Sequence, residues 1–122
     1  MRVEIVNDGQ KNATVQVSGL LLPPSAAVSS LHHVDLLQFA DLNHTPSKIR
    51  VESITFAIQE KGGLYLWWTN DILLMPLESR GFFDFEKIGC LSSPIGSKGI
   101  SMTTFGIDKP KAFLLILDLG KQ

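Results

Sequence analysis

Residues 64–119 run as short apolar segments in strand alternation, divided by glycine, proline and serine. Leu64, Leu66 and Trp68 alternate with Tyr65, Trp67 and Thr69, and Ile100, Met102 and Thr104 alternate with Ser101, Thr103 and Phe105. A period of two gives a strand two distinct faces. Residues 112–119 are apolar at every position except Asp118. A run so short, apolar on both faces and without helix caps, predicts a strand buried inside a sandwich.

The N-terminal half follows the same grammar. Residues 2–6 alternate weakly up to Asn7-Asp8-Gly9, a hairpin signal, and Ala13, Val15 and Val17 then share one face. Pro23-Pro24 excludes a central strand there. Residues 28–35 suit a strand, and residues 36–42 a single helical turn with Asp35 as N-cap, because seven residues are too few for a lone helix. In residues 48–59 the phase changes: Ile49 and Val51 lie on one face, and Ile54, Phe56 and Ile58 on the other. That break predicts a β-bulge near Glu52-Ser53, or a strand that passes between two sheets. Residues 72–77 end near Pro76, as an edge strand permits, residues 81–85 are short and aromatic, and residues 89–99 form the main loop. The sum is an all-β, antiparallel sandwich of jelly-roll kind with about eight or nine strands, in one domain spanning residues 1–122.

Composition narrows the partners. A chain of 122 residues buries roughly two thirds of its surface on folding, enough for a core without disulfides or metals. Only 19% of its residues are charged, below the roughly 25% of an ordinary domain. So few charges point to surface covered by other protein. The net charge is −1 and the basic residues are scattered, which removes the electrostatic footprint of nucleic-acid binding. The longest apolar run is about half the roughly 20 residues of a membrane span, and the first residues lack signal-peptide form. A protein made and kept in a cytosol, or assembled there, is the expectation.

Catalytic chemistry is hard to place. His32 and His33 would point to opposite faces of a regular strand, so with His44, Asp35 and Asp41 they make a poor metal set. Cys90 is single and sits at an apolar loop entrance, where a packed small side chain is the better account. Asp84 and Glu86 share a face by spacing, as a glycosidase pair would, but their aromatic setting supplies no further acid. Gly96-Ser97-Lys98-Gly99 lacks the strand–loop–helix context of a phosphate loop. No serine lies in a nucleophile-elbow motif. We therefore expect no enzyme activity, catalytic residue, metal or cofactor. Tyr65 and Trp67, on one face with Trp68 on the other, suit core or interface packing better than a sugar platform.

The order of segments carries a resemblance. Lys48-Ile49-Arg50-Val51-Glu52-Ser53-Ile54 leads to Leu64-Tyr65-Leu66-Trp67-Trp68, then to Gly81-Phe82-Phe83-Asp84-Phe85 and Ile88-Gly89-Cys90-Leu91. Gly99-Ile100-Ser101-Met102-Thr103-Thr104 and residues 112–119 complete it. Over residues 48–120 this resembles small uncharacterised, virion-associated proteins of tailed bacteriophages, departing from them at Cys90 and Ser101. The resemblance implies a structural protein of the virion, assembled in the host cytoplasm: a capsid decoration or cement subunit, or part of another head or tail complex. Its partners would be copies of itself, a trimer suiting a capsid's local threefold axes, or the major capsid protein. Interface candidates are Tyr65, Trp67, Phe82 and Phe83. The alternative is a glycan-binding sandwich module on a phage fibre, with Tyr65 and Trp67 stacking on sugar.

Overall fold

The computed structural model describes residues 1–23, 33–69 and 71–122. Among them ten strands form two antiparallel sheets around one apolar core, so the fold is the expected all-β sandwich. In chain order the strands are β1 (Arg2–Asp8), β2 (Asn12–Leu21), β3 (Val34–Gln38), β4 (Ile49–Ile58), β5 (Gly63–Trp68), β6 (Ile72–Glu78), β7 (Arg80–Asp84), β8 (Leu91–Ser92), β9 (Gly99–Phe105) and β10 (Lys111–Lys121). One sheet runs β1-β2-β10-β4-β7, with β8 pairing β4 as a sixth strand; the other runs β3-β9-β5-β6. The short β8 lies inside the stretch expected to be all loop.

The last strand, β10, lies at the centre of the larger sheet, between β2 and β4. Phe113, Leu115, Leu117 and Leu119 point into the core beside Val15 and Val17 of β2 and Ile54, Phe56 and Ile58 of β4. Its other face is not covered: Ala112 is exposed, and Leu114, Ile116 and Asp118 are half-buried. The expectation of a strand covered on both faces is corrected, because sequence apolarity here exceeds what burial requires. Surface leucines and isoleucines are ordinary in folded proteins.

The phase break in β4 is a bulge. The β10–β4 register slips between Asp118 and Leu119, which pair with Ser53 and Val51, so Glu52 is the extra residue. The slip keeps Ile49 and Val51 on the core face with Ile54 and Phe56, all of them buried. Elsewhere two boundaries move. The 28–35 strand lies partly outside the described residues, and β3 continues through Asp35 to Gln38. What remains of the helical turn is one turn of 3-10 helix, Phe39–Asp41, whose N-cap is Gln38 and not Asp35.

Lysines stand at both ends of β10, in phase with its core-facing row. Each side chain is only 4% exposed. The Lys121 ammonium donates to Asp8 Oδ1, to the Gly9 carbonyl at 2.5 Å and to the Asn43 carbonyl at 2.8 Å, so all three N–H donors are used. The Lys111 ammonium donates to Glu60 Oε2 at 2.8 Å and lies 3.3 Å from Asp108 Oδ1. A buried ammonium is tolerated only when paired in this way. These contacts hold the turns at the two ends of the sandwich to its central strand.

The alternation of β10 is testable by substitution. Leu115→Ala is expected to cost about 2–5 kcal/mol in chemical denaturation, and Leu115→Asp to abolish folding at about 37 °C. Ile116→Thr, one residue away on the half-solvated face, should change stability by roughly 0.5 kcal/mol or less. Equal effects at 115 and 116 would contradict the alternation.

Candidate functional site

Two surfaces gather the chain's unusual side chains, one on the outer face of each sheet. On the smaller sheet, β5 turns Leu64, Leu66 and Trp68 inward, all buried, which leaves Tyr65 and Trp67 half-buried outside. Their neighbours across the ladder on β9 are Thr103 and Ser101. The Trp67 Nε1–H donates to Thr103 Oγ1 at 2.9 Å, and His33 Nδ1 meets Ser101 Oγ at 3.0 Å. Four rings thus form a row across the face: Phe105, Tyr65, Trp67 and His33, with successive centroids 4.7, 6.2 and 5.4 Å apart.

The row is held from below and from its ends. Phe105 lies over Gly63, where a Cβ would fall 2.6 Å from the ring, so any larger residue would displace it. His33 Nε2 approaches Asp71 at 3.7 Å at the other end. Leu73, 47% exposed, and Pro76 flank the row on β6, across from Trp67 and Tyr65. Successive rings are inclined by 36°, 61° and 55°, so edges meet faces and no flat stack forms. Aromatic rings favour such tilted contacts. The result is an apolar patch in which the Trp67 indole N–H and His33 Nδ1 are already engaged by Thr103 and Ser101.

Phe82 and Phe83 do not join this patch. They lie on β7, in the other sheet. Phe82 is 61% exposed on the outer face beside Thr55; Phe83, 38% exposed, is on the core-facing phase and stacks on Phe56 and Phe85. The four residues nominated from sequence therefore divide between the two sheets, with Tyr65 and Trp67 on one face of β5 and Phe82 and Phe83 on opposite faces of β7.

The outer face of the larger sheet also carries a group that linear reading missed. The register aligns Thr14, Asp118, Ser53 and Asp84 as one row across four strands. The Asp118 carboxylate accepts from Thr14 Oγ1 at 2.9 Å and from Ser53 Oγ at 2.7 Å. Glu52, Asp84, Glu86 and Asp118 line a shallow concavity of about 320 Å³ there. At the bulge the Asn12 side-chain amide lies 2.9 Å from Glu52 Oε1, and with its nitrogen turned to the carboxylate it donates there. Burial, and then a hydrogen bond with Glu86, push its carboxyl above its ordinary value. The signal was cross-strand spacing, invisible until register is known.

Among the described residues no group of three or more His, Cys, Asp or Glu side chains is placed to hold a metal ion. The remaining loops are occupied structurally. Thr69 Oγ1 accepts the Lys98 N–H at 2.8 Å and meets Ser97 Oγ, which fixes the glycine-rich turn as a packed end of the sandwich. Cys90 is half-buried with φ 65°, a left-handed conformation that suits glycine better than cysteine. His32 lies outside the described residues. No protein-family model, curated protein or solved structure matches the chain.

The carboxylates divide by sign of their pH dependence. Asp8, Glu60 and Asp108 are lowered, chiefly by hydrogen bonds from Lys121 (Asp8) and Lys111 (the other two). Their contribution to stability is present above their ordinary values and is lost as pH falls through the lowered ones. Glu52 is opposite: its folded value lies above the ordinary 4.5. Its contribution is present below 4.5 and is lost as pH rises through the folded value. Glu52→Gln should therefore be more stable than the parent at neutral pH, with the advantage vanishing below about pH 4. Melting curves of both proteins across that range check the sign. An advantage that grew on acidification would refute it.

Proposed function

We propose that this chain is a structural protein of a tailed bacteriophage particle, most simply a capsid decoration or cement subunit, that works by adhesion to other protein. The ring row Phe105–Tyr65–Trp67–His33 carries the adhesive part of this reading. It offers an apolar aromatic centre bordered by polar side chains, the composition that dominates binding energy in stable protein interfaces. The low charged fraction supports the same conclusion, because charge is what interface cores lack. The virion setting comes from the segment order of residues 48–120. The partner is then a capsid subunit or another copy of the chain, no catalysis is required, and no cofactor enters.

A glycan-binding module on a fibre is the second reading, favoured by the half-open rings of Tyr65 and Trp67. Two features weigh against it. The rings are tilted edge to face, so they present no common plane for a sugar, and the indole N–H that could donate to a hydroxyl is already given to Thr103.

Trp67→Ala separates the two. On the adhesion reading the variant keeps its far-UV circular dichroism and loses attachment to purified heads by about 30-fold or more, the effect of removing a hot-spot tryptophan. Unchanged attachment, with binding to a polysaccharide lost on a glycan array, would decide for the second reading.

A further inference from the structure

We propose that β7 is a self-complementary edge through which two copies of the chain join, by antiparallel pairing of β7 with its symmetry mate about a twofold axis at Phe82. The strand reads Arg80-Gly81-Phe82-Phe83-Asp84, and all five residues are exposed. It ends the larger sheet: β4 pairs it on one side, and no described strand pairs it on the other. A free edge of this kind presents unpaired N–H and C=O groups to any strand that fits.

This strand fits itself. With Phe82 facing Phe82 of a second copy, each Arg80 lies opposite an Asp84 and each Gly81 opposite a Phe83. Arg80, Phe82 and Asp84 share the outer face by alternation, so two ion pairs bracket an aromatic pair on one surface. On the core-facing side Phe83 of one copy meets Gly81 of the other. The Phe56 ring already lies under Gly81, with a carbon 3.1 Å from where a Cβ would stand, and the glycine leaves an aromatic floor for the incoming ring. The charges are also available. Neither Arg80 nor Asp84 has an ion-pair partner among the described residues; the Asp84 carboxylate accepts only the Glu86 backbone N–H, at 3.0 Å.

The other end of this sheet lacks such a pattern of free charges. On β1, Arg2 and Glu4 pair with each other within the strand at 3.5 Å, and its register with β2 slips between Ile5 and Asn7. The four-stranded sheet ends on β6, which carries Pro76 and a register slip of its own, and on β3, whose register with β9 slips between Asp35 and Leu37. A five-residue seam is small, under the roughly 1,200 Å² of a standard interface, so the dimer should depend on concentration.

Sedimentation equilibrium of the purified protein tests this, apart from any virion role. The parent should show a monomer–dimer equilibrium. Arg80→Asp and Asp84→Arg should each weaken it by about tenfold or more, because each places like charges opposite one another twice. An equimolar mixture of the two variants should dimerise again, since acidic and basic edges then face each other; so should the double variant R80D/D84R. Phe82→Lys should be monomeric, and it carries the test should a charge variant fail to fold. A parent that stays monomeric, single variants that associate like the parent, or a mixture that stays monomeric would overturn the proposal.

Discussion

The sandwich depends on β10, which carries the longest paired ladders on both sides among the described strands. It spans eleven residues and pairs with β2 along one edge and β4 along the other. Its core-facing row of Phe113, Leu115, Leu117 and Leu119 fixes the phase of both neighbours, because a one-residue slip would turn every buried side chain outward. The lysines that flank this row limit sliding as well. Lys111 and Lys121 must reach acids and carbonyls in turns from distant parts of the chain, and a shifted strand would leave buried ammonium groups unpaired, which costs more than their pairing gains.

From that constraint the bulge in β4 follows. Ile49 and Val51 could not share a core face with Ile54 and Phe56 unless one residue were absorbed, and Glu52 is the residue absorbed. The extra residue stays at the sheet surface, where it is held under Asn12 and next to Glu86. A carboxyl with a raised value is therefore a by-product of keeping two hydrophobic sets in register. That gives the acidic concavity a structural cause without any appeal to catalysis.

How far the sequence was legible depends on the range of the interaction. Short-range alternation located β5, β9 and β10 and put Trp67 and Trp68 on opposite faces; which of them is core, Trp68, came from the packing of the sheets. The phase break near Glu52-Ser53 announced the bulge for the same reason: it is a property of neighbouring residues. What alternation could not reveal was cross-strand company. Phe105 and His33 belong with Tyr65 and Trp67 only because β9 and the residues leading into β3 lie beside β5 and its neighbour. Asp118 meets Thr14 and Ser53 across strands far apart in the chain. The apolar run of β10 misled in one respect, since leucine and isoleucine at 114 and 116 mimic burial without having it.

The edges show where such a domain is open to partners. Three described edge strands guard themselves: β6 by Pro76 and a slipped register, β3 by a slipped register, β1 by a bulge and an internal ion pair. These are the ordinary means by which a sandwich avoids joining its neighbours. The strand β7 has none of them. The chain enters it from β6 through Ser79, held at φ 66° with its carbonyl accepting from Ile58, and so passes from the edge of one sheet to the edge of the other. That crossing forces β7 to be terminal, and its sequence then places an arginine, two phenylalanines and an aspartate on an unprotected edge. Beside these guarded edges, β7 is open and charge-balanced about its own centre, which is the feature that supports the proposed pairing with a second copy. On the proposed reading, this edge and the ring row on the opposite sheet are two separate adhesive surfaces. That is the minimum a subunit needs if it is to bridge neighbours and not simply cap one.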